Sequence, residues 1–148
     1  MSTSPAQGRR AVLLKYKIHW HVVFTHFPIS FFMLSFGFMA LHHATARACF
    51  ELSAYVSLLA GAAAMLPTAL SGWLTWKGRY RGMKGKVFIY KMRIAFAMIA
   101  LSFLLVFIRS VFPDALHTGW LWLYSFGMLL LLLGAGAEGY YGGRLNHR

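Results

Sequence analysis

The residues with chemical reach in this sequence are few. Histidines stand five apart at His21 and His26, side by side at His42 and His43, and alone at His117, while the only acids are Glu51, Asp114 and Glu138. An imidazole can ligate haem iron, hydrogen-bond a quinone or pass a proton near neutral pH. Two imidazoles on facing segments can hold a b-type haem from both sides. Glu138 lies in one apolar stretch, and Lys91 and Arg93 lie in another. An acid and a cation so placed either lock two segments together or mark a proton path. The three acids are far apart, so no paired-carboxylate or Ser-His-Asp set can form and no catalytic residue is assigned. A single cysteine, Cys49, excludes an internal disulfide and a cysteine-based metal centre. Asp114 is the only acid near His42, His43 and His117, too few ligands for zinc, so no metal is expected.

The elements that carry these groups follow from composition. Of 148 residues, 59% are hydrophobic and 12% charged, half the charge a soluble domain needs for its surface. Four stretches reach the roughly 20 apolar residues needed to cross a bilayer. They are Val22 to Leu41, Leu52 to Trp73, Val87 to Ile108 and Gly119 to Tyr141. Length favours helices over membrane strands, and a helix satisfies its own backbone in lipid. Short connections make neighbours antiparallel, so the expected fold is all-α: an integral membrane, up-down bundle of four transmembrane helices. The division is a basic segment over 1–21, the membrane domain over 22–143 and a tail over 144–148. Pro28 and Pro67 should bend the first two spans. The small residues Gly61 to Ala64, and Gly134, Gly136, Gly139, Gly142 and Gly143, should face inward, where they let helices approach. Gly134 to Gly139 also spells a dinucleotide fingerprint, but it closes a span with no strand before it. The first span exceeds a signal-peptide core and reads as an uncleaved anchor.

Basic residues sort by side. Arg9, Arg10, Lys15 and Lys17 precede the first span, Lys77 to Lys86 fill the second connection, and Arg144 and Arg148 follow the last span. The opposite side has only Arg47 and Arg109. Positive charge is retained in the cytoplasm, which places both termini there. The net charge of +12 then needs no nucleic acid; anionic lipid headgroups are its expected neighbours.

Counted from that side, His26, Lys91, Arg93 and Glu138 fall at similar depth near the headgroup boundary. Lys91 and Arg93 are about 200° apart around a helix, so one can pair inward with Glu138 while the other snorkels. His26 is open to three readings: haem ligand, quinone partner or packed histidine. His43 and His117 could meet at the other side if the first and last helices are neighbours.

The stretch His21-Val-Val-Phe-Thr-His26-Phe-Pro28-Ile resembles the His-(x)4-His-Phe-Pro-Ile opening of a bacterial family of four-helix membrane proteins catalogued as a domain of unknown function. The end, Gly142-Gly143-Arg-Leu145, resembles its closing Gly-Gly-x-Leu. The resemblance implies a bacterial inner membrane and, since some relatives are joined to Rieske iron–sulfur domains, a role beside redox chemistry. A small b-type cytochrome with His21 and His26 at the matched positions is one implication, and redox-protein subunits are the implied partners. The sequence departs from the family at Val22, where proline is usual, and at Tyr90 to Arg93, where a histidine is frequent. The function expected is a non-enzymatic membrane subunit of a redox-linked assembly, associated with b-haem or quinone through His21, His26, His43 and His117. The alternatives are a cofactor-free assembly subunit and a small proton or anion transporter acting as an oligomer.

Overall fold

The computed structural model describes residues 20–79, 81–82, 85–113 and 119–146. Among them every regular element is helical: α1 (Trp20–Thr45), α2 (Ala48–Arg79), α3 (Lys86–Val111) and α4 (Trp120–Asn146). All four are long and apolar enough to cross a membrane. Helix α2 has 32 residues, about 48 Å at 1.5 Å per residue, so its ends outreach a hydrocarbon core of about 30 Å. The order around the bundle is α1–α2–α3–α4, closed by contact of α4 with α1. Neither diagonal pair of helices touches backbone to backbone.

The core follows a heptad-like stripe on each helix. Phe32, Ser35 and Met39 of α1 meet Ala54, Leu58, Ala62 and Met65 of α2, Met98, Ser102 and Leu105 of α3, and Tyr124, Met128, Leu131 and Ala135 of α4. Lipid tails are as apolar as leucine, so association here rests on close fit rather than on escape from water. Glycine supplies that fit at three places. A Cβ at Gly61 would come within 2.7 Å of the Phe32 ring, at Gly127 within 2.9 Å of Leu105, and at Gly134 within 2.9 Å of Met98. The last two pairs step one heptad in opposite directions, which fixes the antiparallel register of α3 on α4. The outer faces are apolar as well: Phe96 is 71% exposed and Trp122 70%. A soluble protein does not present such a surface on every side, whereas lipid requires it.

Not all the small residues turn inward as expected. Gly136, Gly139 and Gly143 are exposed, with open space where a Cβ would stand. Consecutive glycines point around the helix: Gly134 continues the stripe that begins at Gly127, and Gly142, half-buried, faces Lys91 at its end. Ala63 of α2 is exposed for the same reason, beside buried Gly61 and Ala62.

Proline inside α1 has a specific compensation. Pro28 offers no N–H, which leaves the Phe24 carbonyl without its usual helical donor. The Thr68 hydroxyl of α2 lies 2.9 Å from that carbonyl and 2.8 Å from Ala64 O in its own helix. The α1–α2 turn is tight. Only Ala46 and Arg47 separate the helices; the Ala46 N–H donates to His42 O at 2.8 Å, and its left-handed φ of 55° then turns the chain out of α1. The His42 ring closes the same turn through Nδ1–H to Arg47 O, 3.0 Å.

Candidate functional site

The basic end of the bundle, where α1 and α3 begin and α2 and α4 finish, collects polar groups from all four helices. On α1, His21 is half-buried and its Nδ1 lies 3.1 Å from Ser71 Oγ of α2. Ser71 gives its one hydroxyl proton to Thr68 O at 2.9 Å, so His21 is the donor to Ser71. Nδ1 then carries the proton and Nε2 keeps the lone pair. Gly72 makes room for this ring, since a Cβ there would lie 2.9 Å from His21 Cε1. Burial lowers the His21 pKa, with the Lys91 charge adding to the effect and a hydrogen bond to the Thr68 backbone opposing it. Burial therefore disfavours the charged form of this imidazole.

Across the bundle, Lys91 Nζ of α3 sits 3.1 Å from Glu138 Oε2 of α4 and donates to the Glu138 carbonyl at 3.3 Å. Lys91 lies one heptad before Met98 and two before Leu105, on the stripe that packs against α4. Arg93 is exposed, as its angular offset from Lys91 requires. The second oxygen, Glu138 Oε1, is buried and has no hydrogen-bond partner among the described residues. A buried carboxylate oxygen without a donor is costly, so this end presents an unmet demand for one.

The far end is built differently. Arg109 of α3 forks onto Glu51 of α2, Nε to Oε1 at 2.6 Å and Nη2 to Oε2 at 3.0 Å. Its guanidinium stands 5.5 Å from the centre of the Tyr55 ring, and Tyr55 Oη is 2.9 Å from Ser110 Oγ. Residue types alone gave no sign of this pair, because both members lie near helix ends on the side read as outside the bilayer. The available signal was topological: antiparallel neighbours bring the start of α2 beside the end of α3. Nearby, His43 Nε2 meets Ser125 Oγ at 2.8 Å, and its ring stacks on Trp122 at 4.3 Å. Ser125 donates to Leu121 O, so His43 is the donor there too.

The described histidines do not assemble into one site. His21, His26, His42 and His43 all ride on α1, and His21 and His43 are about 33 Å apart along it. His26 is exposed, on a different face from His21. A haem held between two imidazoles needs them on opposed helices, and among the described residues no second helix supplies one. The pairing of His43 with His117 involves a residue outside the described ones, as does Asp114.

A family described as "Predicted membrane protein (DUF2231)" matches residues 17–148. No curated protein and no solved structure matches the chain significantly.

Proposed function

The chain belongs to the DUF2231 family of predicted membrane proteins, and from that premise we propose that it is a small membrane subunit of a redox-linked assembly whose own contribution is a quinol-headgroup site at the basic end. The observation that carries this reading is a pair of acceptors at the same end of the bundle: the buried Glu138 Oε1, without a partner among the described residues, and the His21 imidazole. Both ask for O–H donors, which a quinol has and a quinone lacks. Lys91 neutralises the carboxylate without covering Oε1. In this reading both termini are cytoplasmic in a bacterial inner membrane, and Lys77, Arg81 and Lys86 lie among anionic headgroups. Lys77 over the Trp73 ring at 4.0 Å suits an interfacial anchor. The resemblance to relatives joined to Rieske domains points to an electron-carrying protein as neighbour.

The test is titration of the detergent-purified protein with a short-chain benzoquinol, read by quenching of tryptophan fluorescence. Saturable binding that falls about tenfold in His21→Ala and in Glu138→Gln supports the site, a loss of about 1.4 kcal/mol each. Binding unchanged by both substitutions contradicts it. A reduced-minus-oxidised absorbance spectrum of the same sample addresses the haem version, for which the described histidines offer no opposed pair.

A second reading has one observation in its favour. An acid–cation pair also braces the far end, through Glu51 and Arg109, so ion pairs in this bundle serve as helix clamps as well. A cofactor-free assembly subunit would use Lys91 and Glu138 in the same way, and it predicts no quinol binding.

A further inference from the structure

The face that α2 turns towards the start of α1 carries Thr68, Ser71 and Gly72, and all three act on the first turns of that helix. The Thr68 hydroxyl lies 2.9 Å from Phe24 O, less than one turn beyond His21, and so pins the backbone that carries the imidazole. Gly72 lets the ring lie flush against α2, since a Cβ there would stand 2.9 Å from His21 Cε1, 3.4 Å from Nδ1 and 3.5 Å from Nε2. Ser71 Oγ stands 3.1 Å from Nδ1, and its own proton goes to Thr68 O at 2.9 Å. A neutral imidazole has one N–H and one lone pair, and the bond made by one nitrogen decides what the other offers. Here Nδ1 must donate, so Nε2 accepts. A free histidine ring prefers the opposite form, with the proton on Nε2. The α2 face therefore reverses what the ring would ordinarily offer.

We propose that Ser71 and Gly72 set the specificity of the basic-end site: they hold His21 in its Nδ1–H form, so that Nε2 takes an O–H from a reduced quinone ring and offers nothing to an oxidised one. Both act through His21 and are positioning residues. The inference rests on the quinol reading above and adds the reason that this imidazole discriminates between two redox states of one ring. Without the two residues the ring reverts to its Nε2–H form, which suits a quinone carbonyl instead.

Two measurements on the full chain in detergent test this. The first is the nitrogen-15 NMR spectrum of histidine-labelled, ligand-free protein near pH 8, above the ordinary imidazole range, with the His21 signal identified by its loss in His21→Gln. The wild type should show the Nδ1–H form. Ser71→Ala and Gly72→Ala should each shift the balance towards Nε2–H, and Ser71→Thr, which keeps the hydroxyl, should restore it. A wild-type ring already in the Nε2–H form, or a tautomer unmoved in both alanine variants, overturns the proposal. The second is the affinity for a short-chain benzoquinol and for its quinone. In both alanine variants the quinol should bind about fivefold more weakly, the scale of one lost hydrogen bond, while the quinone binds no more weakly than before. A merely structural role would weaken both forms together. A quinol preference that survives both alanine variants overturns the proposal and leaves the quinol reading standing. A wild type that binds neither form overturns the quinol reading, and the ligand assigned here with it, whatever the nitrogen spectrum shows of the ring.

Discussion

Each end of the bundle joins a half-buried carboxylate to a cation, and the two pairs differ in the shape of the cation. At the far end the Arg109 fork engages both oxygens of Glu51, at 2.6 and 3.0 Å. At the basic end Lys91 is a point charge that takes one oxygen of Glu138 and turns another bond to its backbone carbonyl, leaving Oε1 bare. Guanidinium matches carboxylate two for two, and ammonium does not. One pair is thereby a closed clamp between α2 and α3, and the other an open acceptor between α3 and α4. Helix α3 is held at both ends, each time to a different neighbour.

Removing the fork should have the largest effect. Arg109→Ala strands a half-buried carboxylate, and stability should fall by about 2 kcal/mol, between the cost for an exposed pair and that for a buried one, measured by thermal or denaturant unfolding in detergent. A loss below about 0.5 kcal/mol would mean the clamp is only a surface ion pair.

Lys91→Arg makes the two ends alike. The fork should cover Glu138 Oε1, raise stability by about 1 kcal/mol and abolish quinol binding together. Stabilisation with binding intact would separate the bare oxygen from the site.

Ala46→Gly probes the far-end turn, where a left-handed φ of 55° strains any L residue. Relief of that strain, offset by a freer unfolded chain, should add about 0.5 kcal/mol. Reduced stability would show that the Ala46 methyl contributes more than its backbone costs.

The smallest effect belongs to His21. Its pKa is lowered by burial, so the unfolded chain binds the extra proton first. The stability it contributes is complete above the ordinary value of 6.5 and is lost as pH falls below it towards the folded pKa. In His21→Ala this acid-side decline should flatten. Because the ring is half-exposed, the decline is shallow.

The architecture was legible because lipid makes strong demands on composition: four apolar runs separated by short polar connections admit little else. The helix ends were less so. Helix α1 runs to Thr45, past Leu41, and α2 spans Ala48 to Arg79 rather than Leu52 to Trp73. Hydropathy marks where lipid begins, whereas hydrogen bonding carries a helix on into the headgroup layer. At the basic end, spacing made Lys91 and Arg93 alternatives for the inward position. Choosing between them takes the heptad that Lys91 shares with Met98 and Leu105, visible only once α3 is seen against Gly134 and Gly127. The Glu51–Arg109 clamp needed the ring order of helices, which no local pattern carries. The outward set of Gly136, Gly139 and Gly143 was misjudged because a cluster of glycines has no direction until the helix is docked.

The difference between the two ends leads to a preference between two ligands. The affinity of one short-chain benzoquinol should be compared with that of its own oxidised quinone, on the same detergent-purified protein. Acceptors at Glu138 Oε1 and His21 predict that the reduced form binds at least several-fold more tightly, and that Glu138→Gln erases the preference. Equal affinity for the two forms, or a preference for the quinone that survives Glu138→Gln, would contradict the account.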